Sequence, residues 1–144
     1  MSSAPACWHD TMSGHMAPEG VVTKESAGSV DATVARLLGV IEGRGLKVFA
    51  VVDHSGEARA AGLSLRDTKL IIFGSPAAGT PVMGAAPLAA LDLPLKALVW
   101  SGDGGSTLIS YLSPAWLADR HHLPDSLAAR LAGIDSVVDA ALSP

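Results

Sequence analysis

The residues best suited to chemistry gather at two points of the chain. The apolar run LKVFAVVDH (46–54) ends on Asp53 and His54, and Glu57 follows one helical turn later. An imidazole beside carboxylates can shuttle a proton near neutral pH, which makes His54 a candidate general acid or base with Glu57 or Asp92 orienting it. The second point is DLPLK (92–96), where Asp92 and Lys96 flank Pro94. Proline fixes the local backbone and biases Leu93 toward an extended conformation, so a carboxylate and an ammonium sit together at the mouth of a strand and can orient a polar ligand. The competing readings are a strand-end histidine that caps a turn, and a solvated ion pair of little energy.

Between these points lies KLIIFGSPAAGTPVMGAAPLAALDLPLK (69–96), with no charged side chain between Lys69 and Asp92. Its length suits a membrane span, which needs roughly 20 predominantly apolar residues. However, Gly74, Gly79 and Gly84 alternate with Pro76, Pro81 and Pro87, and each proline removes a backbone donor and clashes with the preceding helical turn. The expectation is a series of bends over 74–84, with TPVMGA and PLAAL each supplying about one helical turn, and no uninterrupted helix. Gly74, Gly79 and Thr80 nearly spell a phosphate-binding loop, but Thr80 and Pro81 stand where lysine and the magnesium-binding hydroxyl belong. Freedom from charge then means burial against the domain's own core, a ligand or a second subunit.

Other constellations are weaker. Ser110 and Ser113 have no G-x-S-x-G elbow around them. Adjacent His121 and His122 diverge by about a hundred degrees on a helix, which argues against a shared metal. Cys7, His9, Asp10, Met12 and His15 are ligand types for a soft metal, but their spacing matches no closed zinc site, and we assign no metal and no cofactor. Phe73, Trp100 and the other aromatics read more readily as core than as a stacking platform.

The elements that must position these residues follow from periodicity. GVVTKESA (20–27) reads as a first strand. Ser29 offers an N-cap, and Val30, Val34, Leu37, Leu38 and Ile41 recur at helical spacing up to Gly43 and Gly45. A second strand over 46–54, a short helix over 55–63 and a third strand over 69–74 follow. LKALVW (95–100) and STLISYL (106–112) flank SGDGG and read as a hairpin. Pro114 starts a helix that Pro124 breaks, and Leu127, Leu131, Ile134, Val138 and Leu142 trace a stripe to the end. The fold class expected is α+β: a single antiparallel or mixed sheet of about five strands with helices packed mainly on one face.

The chain has 144 residues, enough for one domain with a real core. Its net charge of −4 and scattered basic residues argue against nucleic acid as a partner. The single cysteine, Cys7, excludes an intramolecular disulfide. Residues 1–19 read as a flexible tail without a secretory leader, and SGHM before Ala17 resembles a cloning scar with Met16 as the natural start. We expect a cytoplasmic protein without a membrane segment.

From Val22 onward the chain resembles the proteins grouped as domain of unknown function 302, a bacterial and archaeal family. The resemblance is carried by Asp53–His54, GEARAAGLSLR (56–66), IIFGSP (71–76), AGTPVM (78–83), APLAALDLPLKALVW (86–100) and SYLSPAWLADRHHL (110–123). Ser75 stands where the family usually has asparagine, which replaces an amide by a single hydroxyl. The resemblance implies one compact α+β domain over 20–144, a homodimer, and one region holding His54, Glu57, Gly74, Pro76, Thr80, Met83, Asp92, Pro94 and Lys96. It delivers no activity. The resulting expectation is a small-molecule pocket between the 74–84 loop and the end of the second strand, with His54 as polar handle, Asp92 and Lys96 orienting the ligand, Gly74, Ser75 and Thr80 beside it, and Phe73, Met83 and Trp100 as apolar wall. The alternatives are an enzyme using His54 with Glu57 or Asp92, and a structural dimerisation module.

Overall fold

The computed structural model describes residues 18–144; the metal-ligand types from Cys7 to His15 lie outside the described residues. Strands β1 (Val21–Ser26), β2 (Lys47–Asp53), β3 (Thr68–Gly74), β4 (Leu95–Ser101) and β5 (Thr107–Leu112) form one sheet in the order β1-β5-β4-β3-β2. Every neighbouring pair is antiparallel. The α+β architecture expected from periodicity is present, and of the two sheet types expected it is the antiparallel one.

Helix α1 (Val30–Gly43) forms where the stripe predicts it: the Ser29 hydroxyl accepts from the Ala32 N–H at 3.0 Å, and Val30, Val34, Leu37 and Ile41 are buried. It ends as the chain turns through Gly45, whose φ of 73° suits a residue without a Cβ. The short helix α2 (His54–Ala60) is capped by the Asp53 carboxylate, which accepts from the Gly56 N–H at 2.9 Å and the Ser55 hydroxyl at 2.9 Å. The β4–β5 hairpin turns through Gly104 and Gly105, both at positive φ. Helix α4 (Pro114–Arg120), the single turn α5 (Asp125–Ala128) and helix α6 (Gly133–Ala141) complete the chain.

Period-2 alternation divides the sheet. Ile71 and Phe73 of β3, Ala97 and Val99 of β4, and Ile109 and Tyr111 of β5 pack against α1 and α6, together with Leu37, Ile41, Ile134 and Val138. A second cluster of Val82, Ala89, Leu117 and Leu131 gathers beside Leu93, Leu95 and Leu112. The C-terminal stripe serves both, since Leu131 joins the second cluster while Ile134 and Val138 join the first. The backbone changes direction between these duties, through the 3-10 turn Ala129–Leu131.

In the uncharged stretch PLAAL forms the expected short turn, the 3-10 segment Pro87–Leu91, but the bends expected over 74–84 are not found. Pro76–Ala85 is one continuous helix, α3, with Ser75 as N-cap, Pro76 in its first turn and Pro81 inside it. Pro76 costs nothing, because its missing N–H would have no intrahelical partner. Pro81 forfeits a bond to the carbonyl of Ala77, which is exposed and so open to water. The helix therefore starts five residues earlier than Thr80-Pro81 suggests.

Tyr111 anchors α6 to the sheet. Its hydroxyl donates to the Asp135 carboxylate at 2.5 Å, and the Lys24 ammonium lies 5.6 Å from its ring while pairing with Asp139 at 2.7 Å. Burial first, and the Asp135 bond second, push the phenol up to about 12 from 10.0. The fold therefore favours the protonated phenol, and the unfolded chain releases that proton first as pH rises. Stability from this group is complete below pH 10 and is lost as pH rises toward about 12. Tyr111 is the only tyrosine, so ultraviolet titration of the native chain reads it alone; a midpoint near 10 would contradict the burial and the bond.

Candidate functional site

Antiparallel register decides which of the candidate residues can meet. Asp53 lies opposite Lys69, whereas Gly74 lies opposite Lys47. The end of β2 and the start of α3 are thus at opposite ends of the sheet, separated by about 17–20 Å of strand. His54 and Glu57 are both exposed on α2, and they do not share a site with 74–84. Beside them, Asp53 is held below its usual range by the Gly56 N–H and then by the Ser55 hydroxyl, and Ser55 also accepts from the Thr68 N–H at 3.2 Å. This network serves the helix cap.

Asp92 has partners, but His54 is not among them. Its carboxylate lies 2.5 Å from Nε2 of His121 and 3.1 Å from Nε of Arg120, with the His121 side chain 8% and the Asp92 side chain 19% exposed. The Lys96 ammonium turns to backbone, donating to the carbonyls of Asp92 at 3.0 Å and Pro94 at 3.1 Å. Burial lowers the affinity of Lys96 for its proton, and the charge of Asp92 partly offsets this. These bonds join the Leu93-Pro94 corner, a cis peptide, to the end of α4.

The remaining candidates divide three ways. Phe73 is fully buried in the main core. Trp100 and Lys96 lie on the sheet face away from α1 and α6, with Leu70, Leu98, Ser110 and Leu112, around a shallow groove of ≈ 350 Å³. There the Trp100 indole donates to the Ser110 hydroxyl at 2.9 Å. Gly74, Ser75, Thr80 and Met83 line a different cavity, of ≈ 280 Å³, between α3 and the segment Leu93–Leu95.

Of these two spaces among the described residues, that cavity is the more enclosed. Helix α3 contributes Ser75, Ala78, Gly79, Thr80 and Met83, while Leu93, Pro94, Leu95 and Leu131 line the side toward the second cluster. Phe49 reaches it from β2, where the ladder shifts register between Val48 and Ala50 and leaves Phe49 unpaired. Arg130 completes the lining. Ser75 acts as cap, accepting from the Ala78 N–H at 3.2 Å, a bond that leaves its hydroxyl proton uncommitted. Gly79 leaves the space open: a Cβ there would meet only Leu93 and Met83, each at 3.9 Å.

Sequence reasoning missed Phe49, Leu93 and Arg130 in this cavity, and His121 as the partner of Asp92. A bulge and a contact across 29 residues leave no local pattern. Among the described residues no group of three or more His, Cys, Asp or Glu could hold a metal ion.

Comparison with known proteins adds the family. A Brucella suis biovar 1 (strain 1330) protein named fluoride-specific ion channel FluC 1 is 44% identical over 104 residues, which span 72% of this chain and 41% of that protein. A protein of the same name from Brucella abortus biovar 1 (strain 9-941) is also 44% identical, with 38% of its length covered. The chain thus matches less than half the length of these relatives. The crystal structure of an uncharacterized conserved DUF302 protein from Bacillus stearothermophilus superposes with a TM-score of 0.72 at 20% identity, covering 87% of this chain and 97% of that one, a likeness of fold. The family model for domain of unknown function DUF302 matches residues 22–141, and the chain belongs to that family.

Proposed function

We propose that this domain binds a small molecule in the cavity between α3 and Leu93–Leu95. The observation that carries this reading is the cavity itself: ≈ 280 Å³ with mainly apolar walls and a few polar groups, Ser75, Thr80 and Arg130. Small-molecule sites are built this way, with apolar area supplying affinity and a few polar groups supplying orientation. His54 and Glu57 fall outside it.

The enzyme reading moves to Asp92 and His121, the one close imidazole–carboxylate pair among the described residues. The space beside Asp92 is ≈ 20 Å³, about enough for one water. A pair without room for substrate works as a clamp, and we assign it that role. In the Brucella relatives the matched part belongs to proteins named as channels, whereas no helix among the described residues here is long and apolar enough to cross a membrane. On our reading the domain contributes binding to such a protein, and conduction belongs elsewhere.

A second copy of the chain is our proposal for the cover of the open sheet face. Leu70, Ile72, Leu98 and Trp100 lie half-exposed there, and the register puts Lys96 and Glu25 toward opposite ends of the same face. A two-fold axis can bring each over the other's opposite charge.

Titration with the neutral apolar dye N-phenylnaphthylamine tests the cavity. Saturable fluorescence enhancement is expected for the native chain, with loss in Gly79→Leu and no change in His54→Ala. Enhancement that survives Gly79→Leu but disappears in Leu98→Asp would move the site to the open face. For the clamp, His121→Gln should cost about 1 kcal/mol in urea unfolding and leave dye binding intact. Light scattering tests assembly: the native chain is expected as a dimer and Leu98→Asp as a monomer, and a monomeric native chain sinks the dimer.

A further inference from the structure

We infer that the α3 cavity takes an amphipathic anion, a medium-chain aliphatic or aromatic monocarboxylate whose apolar body lies against Phe49, Met83 and Leu93 and whose charge faces Arg130. The inference rests on the cavity assignment above and adds the chemical class of its ligand.

Charge carries the argument. The chain has a net charge of −4, yet among the described residues no Asp or Glu lines the cavity, and Arg130 is the one charged side chain that does. Arg130 makes no ion pair among the described residues. Lys47 adds a second cation nearby: its ammonium sits 5.1 Å from the centre of the Phe49 ring and also lacks an ion pair there. A cationic ligand would meet only like charge. A neutral ligand would leave the exposed guanidinium to water, whereas a carboxylate matches its planar fork with two charge-assisted bonds.

The supply of donors selects among anions. Besides Arg130 the cavity offers the hydroxyls of Ser75 and Thr80. A phosphate dianion needs more donors than this to replace its hydration, while a carboxylate with two oxygens does not. The apolar walls demand a hydrocarbon body. At ≈ 280 Å³ the cavity lies at the small end of the range for ligand pockets, which suits a medium-chain or aromatic body.

Displacement of bound N-phenylnaphthylamine by octanoate, octanol, octylamine and octyl phosphate distinguishes this class from the cavity itself. Octanoate is expected to displace the dye at least tenfold more tightly than the other three. Arg130→Gln, at an exposed position, should remove that preference while leaving octanol unchanged, and Lys47→Gln should reduce it less. Octanol, octylamine or octyl phosphate competing as well as octanoate overturns the anion class while the cavity stands. Dye binding unaffected by Gly79→Leu overturns the cavity and the ligand class together.

Discussion

The two edge strands of the sheet are consecutive in sequence, and one helix has to join them. β1 and β2 lie at opposite edges, with β5, β4 and β3 between, so α1 must cross the whole width of the sheet. Fourteen residues of helix extend about 21 Å, and four strand spacings come to about 19 Å. The match means that α1 touches β5, β4, β3 and β2 in one pass, and that its buried stripe can serve as the axis of the core. Arg36 fixes the start of the crossing. Its guanidinium donates to the carbonyl of Ala27, just past β1, and to the Ser26 hydroxyl, while its Nε donates to the Ala141 carbonyl of α6. The strand end, the crossing helix and the final helix thus meet at one side chain.

With α1 and α6 committed to one face, the rest of the chain has to close the end of the sheet where β3 stops and β4 begins. The uncharged stretch does this. Val82 and Ala89 are buried in the second cluster, Ser75 to Met83 line the cavity, and Leu88 and Leu91 are 71% and 73% exposed. Freedom from charge therefore does not mean one environment. The side chains nearest the sheet supply core, those one helical face away supply a wall, and the outermost leucines face solvent. At Gly79 the helix has too little side-chain volume to fill the space toward Leu93, and the cavity is what remains.

Much of the scaffold was legible because it is local. The strands follow from β-branched alternation, α1 from a spaced stripe and a serine cap, and the hairpin from glycines that tolerate positive φ. Helix α3 was not legible, since a proline in a helix interior weighs heavily in any local reading and its cost here falls on an exposed turn. The grouping of His54 with the 74–84 segment failed for a different reason. Motif order along a chain carries no information on which strand ends adjoin, and antiparallel pairing of β2 with β3 sends Asp53 and Gly74 to opposite ends. Likewise the partnership of Asp92 with His121 depends on how α4 docks, which is a tertiary fact. Gly74, Ser75, Thr80 and Met83 do fall together, because they share one helix and its entry.

The segment Leu93–Lys96 ties these parts to one another. Leu95 lines the cavity and Lys96, the next residue, lines the groove on the open sheet face, as the pleat requires of neighbours in a strand. Whatever fills the cavity therefore presses on the same stretch of backbone that presents Lys96 to the opposite face. The Asp92 pair with His121 and Arg120 sits immediately before it, and the Lys96 ammonium is folded back onto the carbonyls of Asp92 and Pro94. These bonds oppose displacement of the corner, so under the proposed reading a ligand's binding energy would go into contacts with a preorganised wall instead of into reshaping it. The clamp is thus best understood by its position: a carboxylate, an imidazole and a guanidinium used to hold still the one piece of chain that two surfaces share.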